Sequence, residues 1–566
     1  MLAGIVGVVV VLVVLVVKLT AGPPPEERRA LHFVTLWSRG DYPGMYAELS
    51  DAARRARPLA DFTTAYRDAA ALATAVSFVP GKVGKVRNEV VDVPMTVSTR
   101  SFGTVQATLR IPFTGHDDDA RIDWSQNLTF PGVKRGEKLN RRMRLPPRAA
   151  ILARDGTPLA QGPDRSSPLG TVASAISGSL GPPPPERVPQ LRALGVPDGS
   201  QVGVTGLERV FDQQLTGRPG GTLLAGSRIL AVGTPRAAAA VRTTIDPAIE
   251  RAAVEALGNQ LGGVAVLRPR TGEILGLAGV AFSGLQPPGS TFKMVTLAGV
   301  LEARIAGPNS TYPVQTQATI EGVDIQNANG ESCGGSLRLS FANSCNSVFA
   351  PLGARLGPDR LVKTAEAFGF NQDLHIPGAA TSSIPAANEI GDPLAVGSSA
   401  IGQGRVQATT LQMGWVAATI AQGGIRTPLT LRAGQTPTHQ RVIRASTART
   451  VGRFMEAVVQ VGTGKAAQIP GVRVAGKTGT AELKDTAKSQ CTPTTPTDPT
   501  SPTTTPECPP AVPNDPTDTD AWFASYAPAD KPRVAVAVLL VQNGAGGDTA
   551  APLAKQVLLA SLKATG

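Results

Sequence analysis

Residues 2–17 form an unbroken apolar run ending at Lys18, and this run decides the compartment in which the rest of the chain folds. Its sixteen residues would make a helix of about 24 Å, slightly short of the ~30 Å hydrocarbon core of a bilayer. It therefore stands between a signal-peptide core and a membrane span. The following LTAGPPP offers no convincing small-x-small cleavage site, and no cysteine lies nearby to take a lipid. An uncleaved membrane anchor over residues 1–18 is expected, with everything after it extracytoplasmic.

At 566 residues the chain has room for three or four domains. Hydrophobic residues at 42% and charged residues at 17% exclude a disordered chain. Aromatics are only 4%, against 61 Gly and 48 Pro, so loops are plentiful and cores are expected to be built from Ala, Val and Leu. The net charge of +12 permits nucleic acid or an anionic envelope as partner. No basic segment is interleaved with aromatics and no zinc-finger spacing occurs, so nucleic acid is excluded. His32, His116, His375 and His439 form no ligand pattern, so neither a metal nor a cofactor is expected.

Residues 24–135 begin with helical patterns at 28–39, 45–57 and 59–73. From Ala75 the period switches toward two, through EVVDVPMTVSTRSF and TVQATLRIPFTG. Helices followed by antiparallel strands predict a small α+β domain. Residues 136–242 read as an irregular, elongated linking domain. The third region, 243–566, opens with a helix capped by Asp246 with Pro247 at its first position. The strands GGVAVLRP and GEILGLAG follow, joined by a turn at 269–272, and a second hairpin, AWFASYAP with VAVAVLLVQN, closes the region. Between these lies a Thr/Pro-rich loop, 484–519, which cannot form a core. Its cysteines, Cys491 and Cys508, are expected to be bridged under extracytoplasmic conditions; the alternative is two free thiols on an exposed loop.

Three short motifs carry the chemistry. In PPGSTFK, Ser290 opens a buried helix and Lys293 follows three residues later, on the same face. A serine is a weak nucleophile until a neighbouring neutral amine takes its proton. The helix start also supplies free N–H groups for an oxyanion. In Ser344-Cys345-Asn346, a hydroxyl and an amide two residues apart could relay a proton and bind an amide carbonyl; alone, Ser344 would be read as a helix cap. In Lys477-Thr478-Gly479-Thr480, strand alternation puts Lys477 and Gly479 on one face, Thr478 and Thr480 on the other. Gly479 admits a close backbone approach, so an edge strand here could pair with a peptide. The glycine lead and following helix of a phosphate loop are missing.

S-x-x-K, S-x-N and K-T-G in this order are the set described for penicillin-binding proteins and serine β-lactamases. Over nearly its whole length the chain resembles a class B penicillin-binding protein of actinobacterial type. RIDWSQNLTFPGVKRGEKL, VTGLERVFDQQLTGRPGG, IGQGRVQATTLQMGWVAATIAQGG and DAWFASYAP extend the likeness beyond the motifs. The resemblance implies a multidomain α+β protein. Its parts would be a cone-shaped domain similar to nuclear transport factor, an irregular pedestal or dimerisation-like domain, and a β-lactamase/transpeptidase-like domain with a five-stranded antiparallel sheet.

It also implies that Ser290 is acylated, that Lys293 is its base, and that Ser344 and Asn346 serve proton transfer and amide binding. Lys477 would set the local field, Thr478, Gly479 and Thr480 would line the substrate strand, and the N–H groups of Ser290 and Thr480 would bind the oxyanion. The implied partners are peptidoglycan stem peptides, β-lactam antibiotics, the membrane and cell-wall synthesis proteins. The family usually has Arg-Gly where Arg148-Ala149 stands here. Cys333, twelve residues before Cys345, could pair with it; the alternative is a buried reduced thiol. A secreted β-lactamase would need a base for its deacylating water, and no Glu-x-x-Leu-Asn lies between Ser344 and Lys477. A non-catalytic sensor or scaffold is disfavoured by three intact motifs. A second, glycosyltransferase activity is disfavoured because 24–135 is too short for that domain.

Overall fold

A computed structural model describes residues 22–483 and 518–566. The anchor expected at 1–18 and the expected Cys491–Cys508 bridge lie outside these residues. The described chain divides into two compact units.

The first unit takes residues 22–149, 180–204 and 212–239. Helix α1 (Pro25–Ser38) buries Ala30, Phe33, Val34 and Trp37, and α2 (Leu59–Leu72) buries Phe62, Tyr66 and Ala69. These spacings form one apolar stripe per helix. Strands β1 (Ala75–Pro80), β2 (Val90–Thr99), β3 (Thr104–Thr114) and β4 (Arg121–Ile122) form an antiparallel sheet in sequence order. Strand β2 turns Val91, Val93, Met95 and Val97 into the core, so the period-two pattern is realised. Trp37 stacks on Phe78 at 4.7 Å and meets Tyr66 edge-on at 5.0 Å. The helix expected over 45–57 is broken into Tyr42–Ala47 and Asp51–Ala56. Leu49 bridges to Ile122, and Ser50 accepts from Ala53 N as a cap, giving the backbone a local alternative to helix.

Strands β5 (Leu139–Arg144), β6 (Gly220–Ala225) and β7 (Arg228–Gly233) make a second sheet of this unit, in the order β7-β6-β5. Asp212, 3% exposed, accepts from Arg148, Arg187 and Gly203 N at 2.8, 2.6 and 2.8 Å. Three donors satisfy this buried carboxylate. Ala149 is 7% exposed, and its N–H donates to Leu215 O at 2.9 Å, so a β-carbon is accommodated where the family usually has glycine. Residues 136–242 are thus shared between the units, because β5 finds its partner about 80 residues later, in β6.

The second unit takes 150–179, 205–211 and 240 onward. Its main elements are α3 (Pro247–Leu257), β8 (Gly262–Arg268), β9 (Glu273–Gly279), α4 (Lys293–Glu302), α5 (Leu337–Ala342) and α6 (Asn346–Leu356). There follow α7 (Thr410–Ala421), α8 (Ala445–Gln460), β10 (Ala475–Glu482), β11 (Thr519–Ala527), β12 (Val534–Leu540) and α9 (Ala550–Ala564). Five strands form one antiparallel sheet in the order β9-β8-β12-β11-β10. Asp246 caps α3 by accepting from Ala248 N and Ile249 N. On one face α3 and α9 pack Ile249, Ala253, Ala554 and Val557 against Val264, Val536 and Val538. On the other face α7 covers β8, β11 and β12. All seven residues of β12 are buried, as a strand covered on both faces requires. Strand β10 is left at the sheet edge, beside the 3-10 turn Gly289–Phe292 that leads into α4.

Candidate active site

Ser290 sits in that 3-10 turn, and Lys293 is the first residue of α4. Residues Lys293 to Leu301 are all buried, so the helix is held by packing and the amine cannot swing to solvent. Gly289, with φ +49°, admits a turn that brings the backbone against β10. A β-carbon there would lie 2.7 Å from Thr480 O, and one on Gly479 would lie 2.9 Å from Pro288 O. Glycine at both positions lets the turn and the edge strand touch.

Lys293 Nζ lies 3.0 Å from Ser290 Oγ. It donates to Ser344 O at 2.6 Å and to Asn346 Oδ1 at 2.7 Å. A neutral amine has two N–H bonds and one lone pair. Both donors are taken up by these carbonyl oxygens, which leaves the lone pair for the serine hydroxyl. Lys477, on β10, donates to Ser344 Oγ at 2.9 Å and to Thr478 O at 3.0 Å. Ser344 Oγ is also 3.3 Å from Lys293 Nζ, so this hydroxyl stands between the two amines. Ser344 has a left-handed φ of +62°, a strained backbone for a serine that turns both its carbonyl and its hydroxyl toward Lys293.

Both lysines are fully buried, over the rings of Phe349 and Phe341 at 5.8 and 5.5 Å. Among the described residues, no carboxylate is bonded to Ser290, Lys293, Ser344 or Lys477. Burial, and then the charge of Lys477, hold the Lys293 amine well below the ordinary lysine range. Burial brings Lys477 down to about 7. A buried cation without a counter-ion gives up its proton instead of paying full desolvation. The site therefore favours the neutral form of the amine at the serine, the form that base chemistry requires.

Thr478 and Thr480 lie on the strand face opposite Lys477 and Gly479. Thr478 Oγ1 is 2.5 Å from Thr463 Oγ1, and Thr480 Oγ1 accepts from Gly546 N at 3.4 Å. The structure thus gathers Ser290, Lys293, Ser344, Asn346 and Lys477 into one cluster, with Thr478, Gly479 and Thr480 along its edge. Cys333 and Cys345 are bonded to each other, with Cα atoms 5.7 Å apart. Among the described residues no group of His, Cys, Asp or Glu could hold a metal.

The model of the penicillin binding protein transpeptidase domain matches residues 262–559, and that of the penicillin-binding protein dimerisation domain matches 155–227. The chain belongs to the penicillin-binding protein transpeptidase family. It is 32% identical over 427 residues to the peptidoglycan D,D-transpeptidase PbpA of Mycolicibacterium smegmatis, covering 63% of this chain and 80% of that protein. Stage V sporulation protein D of Bacillus subtilis is 26% identical, with 66% and 62% covered. Among solved structures, penicillin-binding protein A of Mycobacterium tuberculosis, as its imipenem acyl-enzyme complex, is similar with a TM-score of 0.56. It is 26% identical, with 74% of this chain and 99% of that one covered. The D,D-transpeptidase domain of a peptidoglycan glycosyltransferase from Eggerthella lenta gives 0.58 at 27% identity, covering 74% and 99%.

The motifs of this penicillin-binding protein leave several participants unannounced. Phe341 and Phe349, which wall the amines, flank the second motif but read only as core residues of two short helices. Thr463 reaches Thr478 from the end of α8, and no spacing rule connects positions fifteen residues apart across a loop. Gly402 O accepts from Gly289 N at 3.0 Å and so fixes the turn ahead of the nucleophile. Its segment, IGQGRVQ, is legible only through the family resemblance.

Proposed function

We propose that the protein is a serine-type peptidoglycan D,D-transpeptidase, anchored in the membrane by residues 1–18 with its catalytic unit outside. Lys293 takes the Ser290 proton as Oγ forms a bond to the carbonyl carbon of the penultimate D-Ala of a donor stem. The two N–H groups of Ser290 and Thr480 receive the oxyanion. The peptide C–N bond breaks, and the terminal D-Ala leaves as an amine after taking a proton delivered through Ser344. An amine of a neighbouring stem then attacks the ester carbonyl; the new C–N bond is the cross-link, the ester bond to Ser290 Oγ breaks, and the proton lost by the amine passes to Oγ. Asn346 binds the donor amide, and Thr478 and Thr480 bind its terminal carboxylate. A β-lactam carries an equivalent strained amide and leaves Ser290 acylated.

One observation carries this reading: a buried amine without a counter-ion, held by Ser344 O and Asn346 Oδ1, 3.0 Å from the serine hydroxyl. Fluorescent penicillin should label the protein covalently, and Ser290→Ala should take no label; label on the alanine variant would overturn it. A β-lactam-hydrolysing enzyme is the second reading, disfavoured because no described carboxylate reaches this cluster to position a deacylating water. A non-catalytic penicillin sensor would keep the label but fail to join stem peptides. Cell-wall synthesis proteins are the expected partners in the envelope.

A further inference from the structure

Three consecutive residues, the last two of the second motif and the Ser347 that follows it, are each tied to the chain that precedes α5. Cys345, fully buried, is bonded to Cys333, which is 6% exposed. Asn346 Nδ2 donates to Gln326 O at 2.9 Å. Ser347 N donates to Asn327 Oδ1 at 2.8 Å. Asn327 is itself anchored, 5% exposed, with Nδ2 donating to Gln315 O at 2.8 Å and to Glu331 O at 2.9 Å. Cys333 opens the strand Cys333–Ser336, which pairs with Thr311–Gln315.

The ties matter because of what Asn346 must do. Its Oδ1 is spent on Lys293, and one Nδ2 proton is spent on Gln326 O. One N–H remains, and its direction is fixed by the other two bonds. On the other flank, Ser344 is held left-handed at φ +62°, a conformation serine keeps only when its surroundings enforce it. Cys345 lies between these two residues and caps α6. A rotation there would draw both Ser344 O and Asn346 Oδ1 off the Lys293 amine.

We propose that the Cys333–Cys345 bridge is a positioning element for acyl transfer, locking the hydroxyl of Ser344 and the amide of Asn346 onto Lys293; this rests on the transpeptidase reading above. The bridge acts through the two residues on either side of Cys345, and Asn327 works beside it on the same turn.

The test is a fluorescent-penicillin time course on the full chain, comparing wild type, Cys333→Ala, Asn327→Ala and the double variant. The acylation rate constant is read separately from the fraction of molecules labelled. Loss of the bridge is expected to slow acylation by about tenfold to a hundredfold, the scale of an ångström-sized misplacement, with the labelled fraction kept. The effects of Cys333→Ala and Asn327→Ala should combine to less than their product, because both act on one turn. A merely structural bridge would instead lower the labelled fraction at an unchanged rate constant, and that result overturns the inference. Where Cys333→Ala does not fold, Asn327→Ala, with the bridge intact, carries the test: an unchanged rate constant counts against the proposal. Wild-type protein that takes no label at all overturns the transpeptidase reading and this inference with it.

Discussion

The two units differ in what packs against their sheets and in how they hold buried charge. The core of the first is a cluster of rings, with Tyr66 against Trp37, Phe62 and Trp124 and Phe62 against Trp124, and Trp124 Nε1 donates to Tyr66 Oη at 3.2 Å. Its most buried carboxylate, Asp212, is fully paired. The layer of the second unit between the sheet and α3 and α9 is almost wholly Val, Ala, Leu and Ile, with Phe523 the one aromatic in it. The second unit also buries Lys293 and Lys477, over Phe349 and Phe341, and Glu250, beside that aliphatic layer, without counter-ions. The first unit pairs its most buried carboxylate; the second, although it pairs Glu208 with Arg165, holds these three groups toward their neutral forms by suppressing their charge. Suppressed charge is the useful kind for proton transfer, because an amine stripped of its proton is a base.

The comparison breaks first at Lys293. Lys293→Ala is expected to slow penicillin acylation on the order of a thousandfold or more, measured by stopped-flow labelling, with little loss of folded protein. In the first unit the large effect should fall on stability. Phe62→Ala removes a fully buried ring and should cost about 3–5 kcal/mol of that unit's stability, read from denaturant melts, while the acylation rate constant of folded molecules stays at the wild-type value.

Lys477 sharpens the electrostatic side of the contrast. Its charge is one of the causes holding Lys293 low. The acylation rate should rise with pH as the lysine pair loses its proton, and the acidic limb belongs to the pair, not to either amine. Lys477→Gln removes the charge, so the Lys293 amine should hold its proton to higher pH and the limb should move upward. A downward or absent shift would contradict the assignment.

The smallest effect is at Glu250, whose burial raises its carboxyl to about 8 against an ordinary 4.5. Its Oε2 accepts from Leu277 N at 2.8 Å, while Oε1 has no partner. The folded chain keeps a proton there that the unfolded chain releases above about 4.5, so stability should fall as pH rises from that value toward 8. Glu250→Gln should remove the decline and raise the melting temperature by a few degrees at pH 8.5 while leaving pH 5 nearly unchanged.

The legibility of these features follows the range of the interactions involved. The alternation in EVVDVPMTVSTRSF and the Asp246–Pro247 helix start are local, and both became the expected elements. The three motifs also carried their own geometry, since S-x-x-K spacing puts Lys293 on the Ser290 face and strand alternation aims Lys477 and Thr478 oppositely. Long-range terms were hidden. Nothing in LNRRMR shows that β5 pairs with GGTLLA, which is why 136–242 reads as one linking domain and yet is shared between two units. Nor does the helical pattern at 45–57 reveal that Leu49 is claimed by Ile122. Burial of the Lys477 amine was equally silent, since it depends on Phe341 arriving from an element defined by other contacts.

The most direct test of the buried amine acting on Ser290 is a time course of covalent penicillin labelling on the wild-type chain, with Ser290→Ala and Lys293→Ala alongside. The account predicts one label per wild-type chain, persisting long after free penicillin is removed. It predicts none on Ser290→Ala, and on Lys293→Ala a label that forms orders of magnitude more slowly. Rapid loss of the label with release of hydrolysed penicillin, or Lys293→Ala acylated at the wild-type rate, would contradict it.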